Sequence, residues 1–183
     1  ILDLQELANL VVNTFGEVLH LKTVALVVPN RIRGDYEAAS AYGWKVSDVL
    51  HIRLADDSPL VTHVRASGPH VIVRDREVRT LAWQEANLLS QDFDSLRATW
   101  LVPLFVRDEL TGIIAFASQR SEMIFDESDF QFFREFAQRA AKCVRNALSV
   151  QDLKIANEKL QDVQSQLLQN TKLAAIEQLA TGL

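Results

Sequence analysis

One cysteine (Cys143), one methionine (Met123), four prolines and six glycines are all that these 183 residues contain of those types. A single cysteine cannot build an internal disulfide framework or a multi-cysteine zinc site, and it points to a reducing compartment. So few prolines and glycines exclude collagen-like and low-complexity architecture. Long apolar runs are missing as well: Val24–Val28 and Trp100–Val106 fall far short of the ~18 residues a membrane-spanning helix requires. The segment is therefore expected to be cytoplasmic. The chain opens at Ile1 with no earlier methionine, so it is expected to be a piece of a longer protein, which could carry a membrane anchor of its own. A net formal charge of −5 argues against nucleic acid as a partner.

Catalytic signatures are missing too. No GxGxxG, GxxxxGK[ST] or GxSxG occurs, so the chain offers neither a phosphate cradle nor a nucleophile elbow, and no catalytic residue is assigned. The four histidines, His20, His51, His63 and His70, show no i, i+4 pairing and no clustered cysteines beside them, so no metal site is expected. His63 on a helix and His70 on the following strand can still point into one pocket. The carboxylates Asp56, Asp57, Asp92 and Asp94 read as loop residues, with Asp57 a cap or turn residue. Cys143, among Ala140, Ala141 and Val144, reads as a buried structural thiol.

What is present is enough apolar material for a packed core, 48% hydrophobic against 23% charged residues. Leu4, Leu7, Ala8, Val11, Val12, Phe15 and Leu19 recur at threes and fours and predict one amphipathic helix up to about residue 22. From 23 to about 125 the texture is β-branched runs broken by Gly, Pro and Asp. Strands are expected at Thr23–Pro29, Tyr36–Tyr42, His51–Leu54 and His70–Val73. A helix capped at Asp57 or Ser58 should bury Leu60, Val61 and Val64 and end at Gly68–Pro69, and a second helical excursion is expected over 77–91. The apolar runs Thr99–Val106 and Leu110–Ser118 flank the polar turn Arg107–Asp108–Glu109 and predict a hairpin. Pro103 suits an edge or a bulge better than a central position. Sequential strands with tight turns imply an antiparallel sheet flanked by helices, an α+β domain.

Residues 126–183 hold no proline and only Gly182, and predict one long helix, about 87 Å at 1.5 Å per residue. Asp126 and Asp129 carry the spacing of a capping box. Further on, Leu153, Leu160, Leu167 and Ala174 fall at sevens, with Ala156 and Val163 three residues after the first two, which is a coiled-coil seam. Asn170 and Glu177 occupy its weaker positions. A helix with that seam needs a second copy to cover it, so a parallel homodimer is expected.

The text LVPLFVRDELTGIIAFAS followed by FDESDFQFFREFAQRAAKCVRNA resembles the end of a GAF domain, with a Pro-Leu strand, a Gly112–Ile113 pair on the next strand, and a Phe, acidic, Ala-rich helix. SPLVTHVRASGPHVIV is similar to the helix and strand that border the ligand pocket in that family. The resemblance covers about residues 3–148 and implies a GAF-like antiparallel sheet flanked by helices, with a sensory domain over 1–148. It also implies that Trp83, Phe93, Trp100, Phe105 and Phe116 lie in pocket-bordering segments, with Trp83 foremost and Arg79, Gln84 and Gln91 as polar anchors. His63 and His70 complete that candidate set. The cysteine to which bilin-binding relatives attach their chromophore has no counterpart in the pocket region.

A second text, KLAAIEQLATGL at 172–183, resembles the opening of the dimerisation and phosphotransfer helix of sensor histidine kinases, usually LAAIGQLAAGIAHEINNP. Here Glu177 stands for a common Gly and Thr181 for a common Ala, and the chain stops about two residues before the phosphate-accepting histidine. The resemblance implies a sensory domain, a coiled-coil signalling helix over 149–171, and the start of a kinase helix over 172–183. It implies no cofactor in this segment, ATP and Mg for the parent kinase, a response regulator as its partner, and an unidentified small-molecule or protein signal. The alternatives are a ligand-free GAF dimerisation or docking module, and a GAF regulator of a different output domain.

Overall fold

The structure is a computed structural model that describes residues 3–119 and 124–182. The chain divides into two compact units, Ile1–Ala147 and Leu148–Leu183. The expected chain ends at Ile1 and Leu183 lie outside the described residues.

In the first unit, helix α1 (Leu4–Val18) opens at Asp3, whose carboxylate accepts the Glu6 N–H at 2.8 Å and so satisfies one of the helix's unpaired amides. It buries Leu7, Ala8, Val11, Val12 and Phe15, the line its spacing predicts. Six strands follow: β1 (Leu21–Asn30), β2 (Asp35–Tyr42), β3 (Arg53–Ala55), β4 (Ile72–Val73), β5 (Trp100–Val106) and β6 (Glu109–Ser118). They form one antiparallel sheet in the order β3-β2-β1-β6-β5-β4. The central β1 is covered on both faces, which explains why its sequence is a continuous apolar run rather than an alternation.

Between the strands lie α2 (Val46–Val49), α3 (Pro59–Ser67), α4 (Arg74–Thr80) and α5 (Trp83–Ser95). Ser58 caps α3, accepting the Val61 N–H at 3.2 Å, Pro59 takes the first helical position, and Gly68 ends it with φ 69°. The excursion expected over 77–91 is two helices, broken where Leu81 and Ala82 turn extended and bring the Leu81 side chain onto the core. Asp92 and Asp94, expected in loops, sit on α5. There Asp92 Oδ2 accepts the Leu60 N–H at 3.0 Å, and Asp94 holds Arg74 at 2.6 Å.

The β5–β6 hairpin has a two-residue turn, Arg107–Asp108, because Glu109 already pairs with Val106. Arg107 carries it with φ 57°. Strand β4 spans two residues and reaches only Leu101 and Trp100, so from Val102 onward β5 is the edge of the sheet. Pro103 therefore stands where a missing N–H is tolerated.

Helix α6 (Glu127–Thr181) begins in this unit. The Asp126 N–H donates to Asp129 Oδ2 at 2.8 Å and the Asp129 N–H to Asp126 Oδ1 at 2.9 Å, a reciprocal box. Phe133, Ala140, Ala141 and Val144 are buried. Cys143 is exposed, contrary to the buried thiol read from its neighbours: it stands about 100° of helix rotation from Val144 and misses the inward line.

The second unit is the remainder of α6. Its seam residues are uncovered: Leu153 is 70% exposed, Leu160 62% and Leu167 60%, and Ala156, Val163 and Ala174 are exposed with them. Leu173, Ile176 and Leu179 are exposed too and fall outside the seam drawn from the sequence.

Candidate functional site

The two faces of the sheet are packed differently. On one face Ala25, Val27, Leu101, Ile113 and Ala115 meet α3 and α5 through Leu60, Val61, Val64, Leu89 and Phe93, all fully or almost fully buried. On the other face Phe116 packs against Phe15 of α1, with ring centroids 5.5 Å apart, and against Phe133 of α6 at 5.7 Å. Trp100 joins that second cluster, 4.6 Å edge-on from Phe125. Residues 100 and 101 point to opposite faces, as the strand period requires.

The residues expected around one pocket are thus distributed over several places. Phe93 is central to the first face. Trp100 and Phe116 lie on the second. Trp83 opens α5 and is 79% exposed, Gln84 and Gln91 are exposed on the same helix, and Arg79 is exposed on α4. Phe105 is half-buried at the open edge of β5. His63 Nε2 lies 2.9 Å from Glu77 Oε2, while Glu77 and His70, without His63, line a cavity.

That cavity, about 480 Å³, is bounded by His70, Arg76, Glu77, Glu127, Phe130 and Arg134. Asp126 and Asp129, by fixing the start of α6, set Glu127 and Phe130 on its rim. Arg134 is held by Glu127 at 3.1 Å. Two arginines, two glutamates and an imidazole around one phenyl ring suit a polar ligand bearing both charge signs. His70 and Arg134 also border a neighbouring cavity of about 180 Å³ with Pro103, Phe105, Ala137 and Gln138. Phe105 and Gln138 in turn border a third, of about 360 Å³, with Val106, Arg107, Lys142 and Arg145. The openings follow one another along α6, the first against α4 and the segment before β4, the other two against the free edge of β5.

Sequence reasoning missed Arg134, Gln138, Lys142 and Arg145. The signal was available, since spacings of four, four and three put them on one helical face. The reading followed the apolar line of α6 and left its polar face unexamined.

Beyond β2, Arg65 joins two groups. Its guanidinium hydrogen-bonds Asp56 and so holds that carboxyl below the usual carboxylate range. It also donates to the Tyr36 hydroxyl at 3.2 Å. Burial nonetheless pushes the Tyr36 phenol above its ordinary value of 10.0, outweighing the opposing hydrogen bond from Arg65. Among the described residues no three His, Cys, Asp or Glu side chains converge as a metal site, and no helix is long and apolar enough to cross a membrane.

Several solved structures share this fold. A methyl-accepting chemotaxis protein domain is 18% identical with a TM-score of 0.63, the match covering 81% of this chain and 92% of that one. The GAF domain of a phosphoenolpyruvate-protein phosphotransferase from Coxiella burnetii is 19% identical with a TM-score of 0.62, covering 83% and 88%. A domain of a protein described as a two-component sensor histidine kinase from Sinorhizobium meliloti is 11% identical with a TM-score of 0.57, covering 84% and 99%. No curated protein matches the sequence. The family match runs over residues 3–144, nearly the whole of the first unit, and with the curled six-stranded sheet between its helices it shows that this chain belongs to the GAF domain family.

Proposed function

We propose that this GAF domain is the regulatory segment of a homodimeric sensor histidine kinase, passing a signal through its C-terminal helix to an autophosphorylating core. The observation that carries the reading is the uncovered apolar line of the second unit, Leu153, Leu160 and Leu167, on a helix that runs into the text KLAAIEQLATGL. Most helical stability comes from burying an apolar face, so this helix calls for a second copy lying parallel to it. The segment itself performs no chemistry. ATP and Mg would act in the parent kinase, and a response regulator would receive the phosphoryl group. A signal would act by favouring one of two packings of the helix pair, which requires different affinity for the two. The test is autophosphorylation of the full-length parent with radiolabelled ATP: an acid-labile phosphohistidine is expected, and an acid-stable label or none overturns the reading.

A second reading has its own support. Phe93 and Leu89 fill the sheet face against α3 and α5. A GAF domain with that interior serves as a dimerisation or docking module, relaying a signal received elsewhere. A thermal-shift screen over uncharged small metabolites separates the two, since a module of this kind responds to none of them.

A further inference from the structure

We infer that the cleft between the β5–β6 hairpin and α6 is a binding site for a small polyanion, a molecule carrying two or more negative charges at close spacing. The cleft, about 360 Å³, brings Arg107 from the hairpin turn together with Lys142 and Arg145 from α6. Gln138 adds an amide, and Phe105 and Val106 supply an apolar wall. Among the described residues no carboxylate lines it.

Several arginines elsewhere in this unit are matched with acids, Arg31 with Glu109 at 3.7 Å, Arg74 with Asp94 at 2.6 Å, Arg97 with Asp48 at 3.2 Å, and Arg65 with Asp56, whereas Arg53, Arg76, Arg79 and Arg139 have no acidic partner among the described residues; what sets the cleft apart is that three unmatched cations line one cavity. Arg107, Lys142 and Arg145 have no acidic partner among the described residues. Of the acids on the hairpin, Asp108 follows Arg107 in the turn and lies outside the cleft lining, and Glu109 is held by Arg31. Three cations converging in a chain of net charge −5 repel one another, and a polyanion removes that repulsion. Arg107 adds a second sign. It occupies φ 57°, where glycine is at ease and an arginine is not, so its side chain is kept at a backbone cost.

Two elements contribute the cations, so the bound anion would bridge the hairpin to α6, the helix that continues into the second unit. The site stands whatever output domain follows. The cleft is too small for a macromolecule, and its chemistry admits phosphate esters and polycarboxylates alike.

The experiment is calorimetric titration and thermal shift on the whole chain, with pyrophosphate and citrate as separate probes and sodium chloride at matched ionic strength as control. Saturable binding with a raised melting temperature is expected from at least one probe, and the tighter one tells a phosphate from a carboxylate ligand. K142Q/R145Q should weaken binding about a hundredfold, about tenfold for each charge-assisted contact. Arg107→Gly, which suits the turn, should weaken it about tenfold while leaving the free protein no less stable. Arg139→Gln, on α6 but outside the cleft, should bind like the parent. Chloride matching the probes, or K142Q/R145Q binding unchanged, overturns the site.

Discussion

The ring of Tyr42 on β2 lies flush against the backbone of Gly16 in α1, so that a methyl group at position 16 would meet Tyr42 Cδ1 at 2.5 Å. Helix propensity alone favours alanine over glycine by about 1 kcal/mol. Overpacking a filled interface costs about 1–3 kcal/mol, and here it outweighs the propensity gain. Gly16→Ala should therefore lower stability by about 1 kcal/mol, and in a Tyr42→Ala background the same change should instead raise it by up to about 1 kcal/mol, the propensity gain alone. Urea unfolding midpoints at constant slope measure both, and a raised midpoint for Gly16→Ala alone contradicts the contact.

Phe93 and Trp83 lie on one helix and should behave oppositely. Phe93→Ala empties a fully buried position and should cost about 3–5 kcal/mol. Trp83 is 79% exposed, and Trp83→Ala should stay within about 0.5 kcal/mol of the parent. Its loss should also remove the red-shifted, quenchable part of the tryptophan emission. A large destabilisation at Trp83 would mean that α5 starts elsewhere.

Stability should decline at both ends of the pH scale around Arg65. Burial raises the folded value for the Tyr36 phenol above its ordinary 10.0, so its contribution is complete below pH 10 and is lost as pH climbs through the raised value. The lowered Asp56 carboxyl contributes above its ordinary 3.8 and loses that contribution as pH falls through the folded value. Tyr36→Phe should flatten the alkaline limb and leave the acid limb in place. Denaturant midpoints for both proteins between about pH 8 and pH 11 decide it, equal alkaline losses counting against the assignment.

Self-association should depend on the second unit. Burying one seam leucine is worth about 1.5–3 kcal/mol, so Leu160→Asp with Leu167→Asp should make the chain monomeric without changing the fold of the first unit. Sedimentation equilibrium reads the mass, and near-ultraviolet circular dichroism reads the aromatic clusters. An unchanged dimer would place the contact away from the seam.

Much of the fold was legible because its signals are local. The Asp126–Asp129 box, the Ser58–Pro59 start and Gly68 stop of α3, and the threes and fours of α1 all act within a few residues of where they are read. The division of the aromatics was not local. Trp100 and Phe116 are opposed on neighbouring strands, and only the cover supplied by α1 and α6 puts them on a different face from Phe93. The last turns of α6 carry a different signal. A period of seven leads from Leu153, Leu160 and Leu167 to Ala174, and from Ala156 and Val163 to Asn170 and Glu177, whereas the large exposed side chains there are Leu173 and Ile176. That offset is the signature of a shift in heptad phase, which extrapolating the first repeats cannot foresee.

Pro103 has a consequence for the open edge of the sheet. With β4 covering only Trp100 and Leu101, the outer rim of the sheet is open from Val102 to Val106, the kind of rim on which a strand from another molecule can crystallise into a shared sheet. A proline has no amide hydrogen to offer such a visitor. An incoming strand would lose one rung of its ladder at that position, which disfavours the merging of two such sheets at this rim.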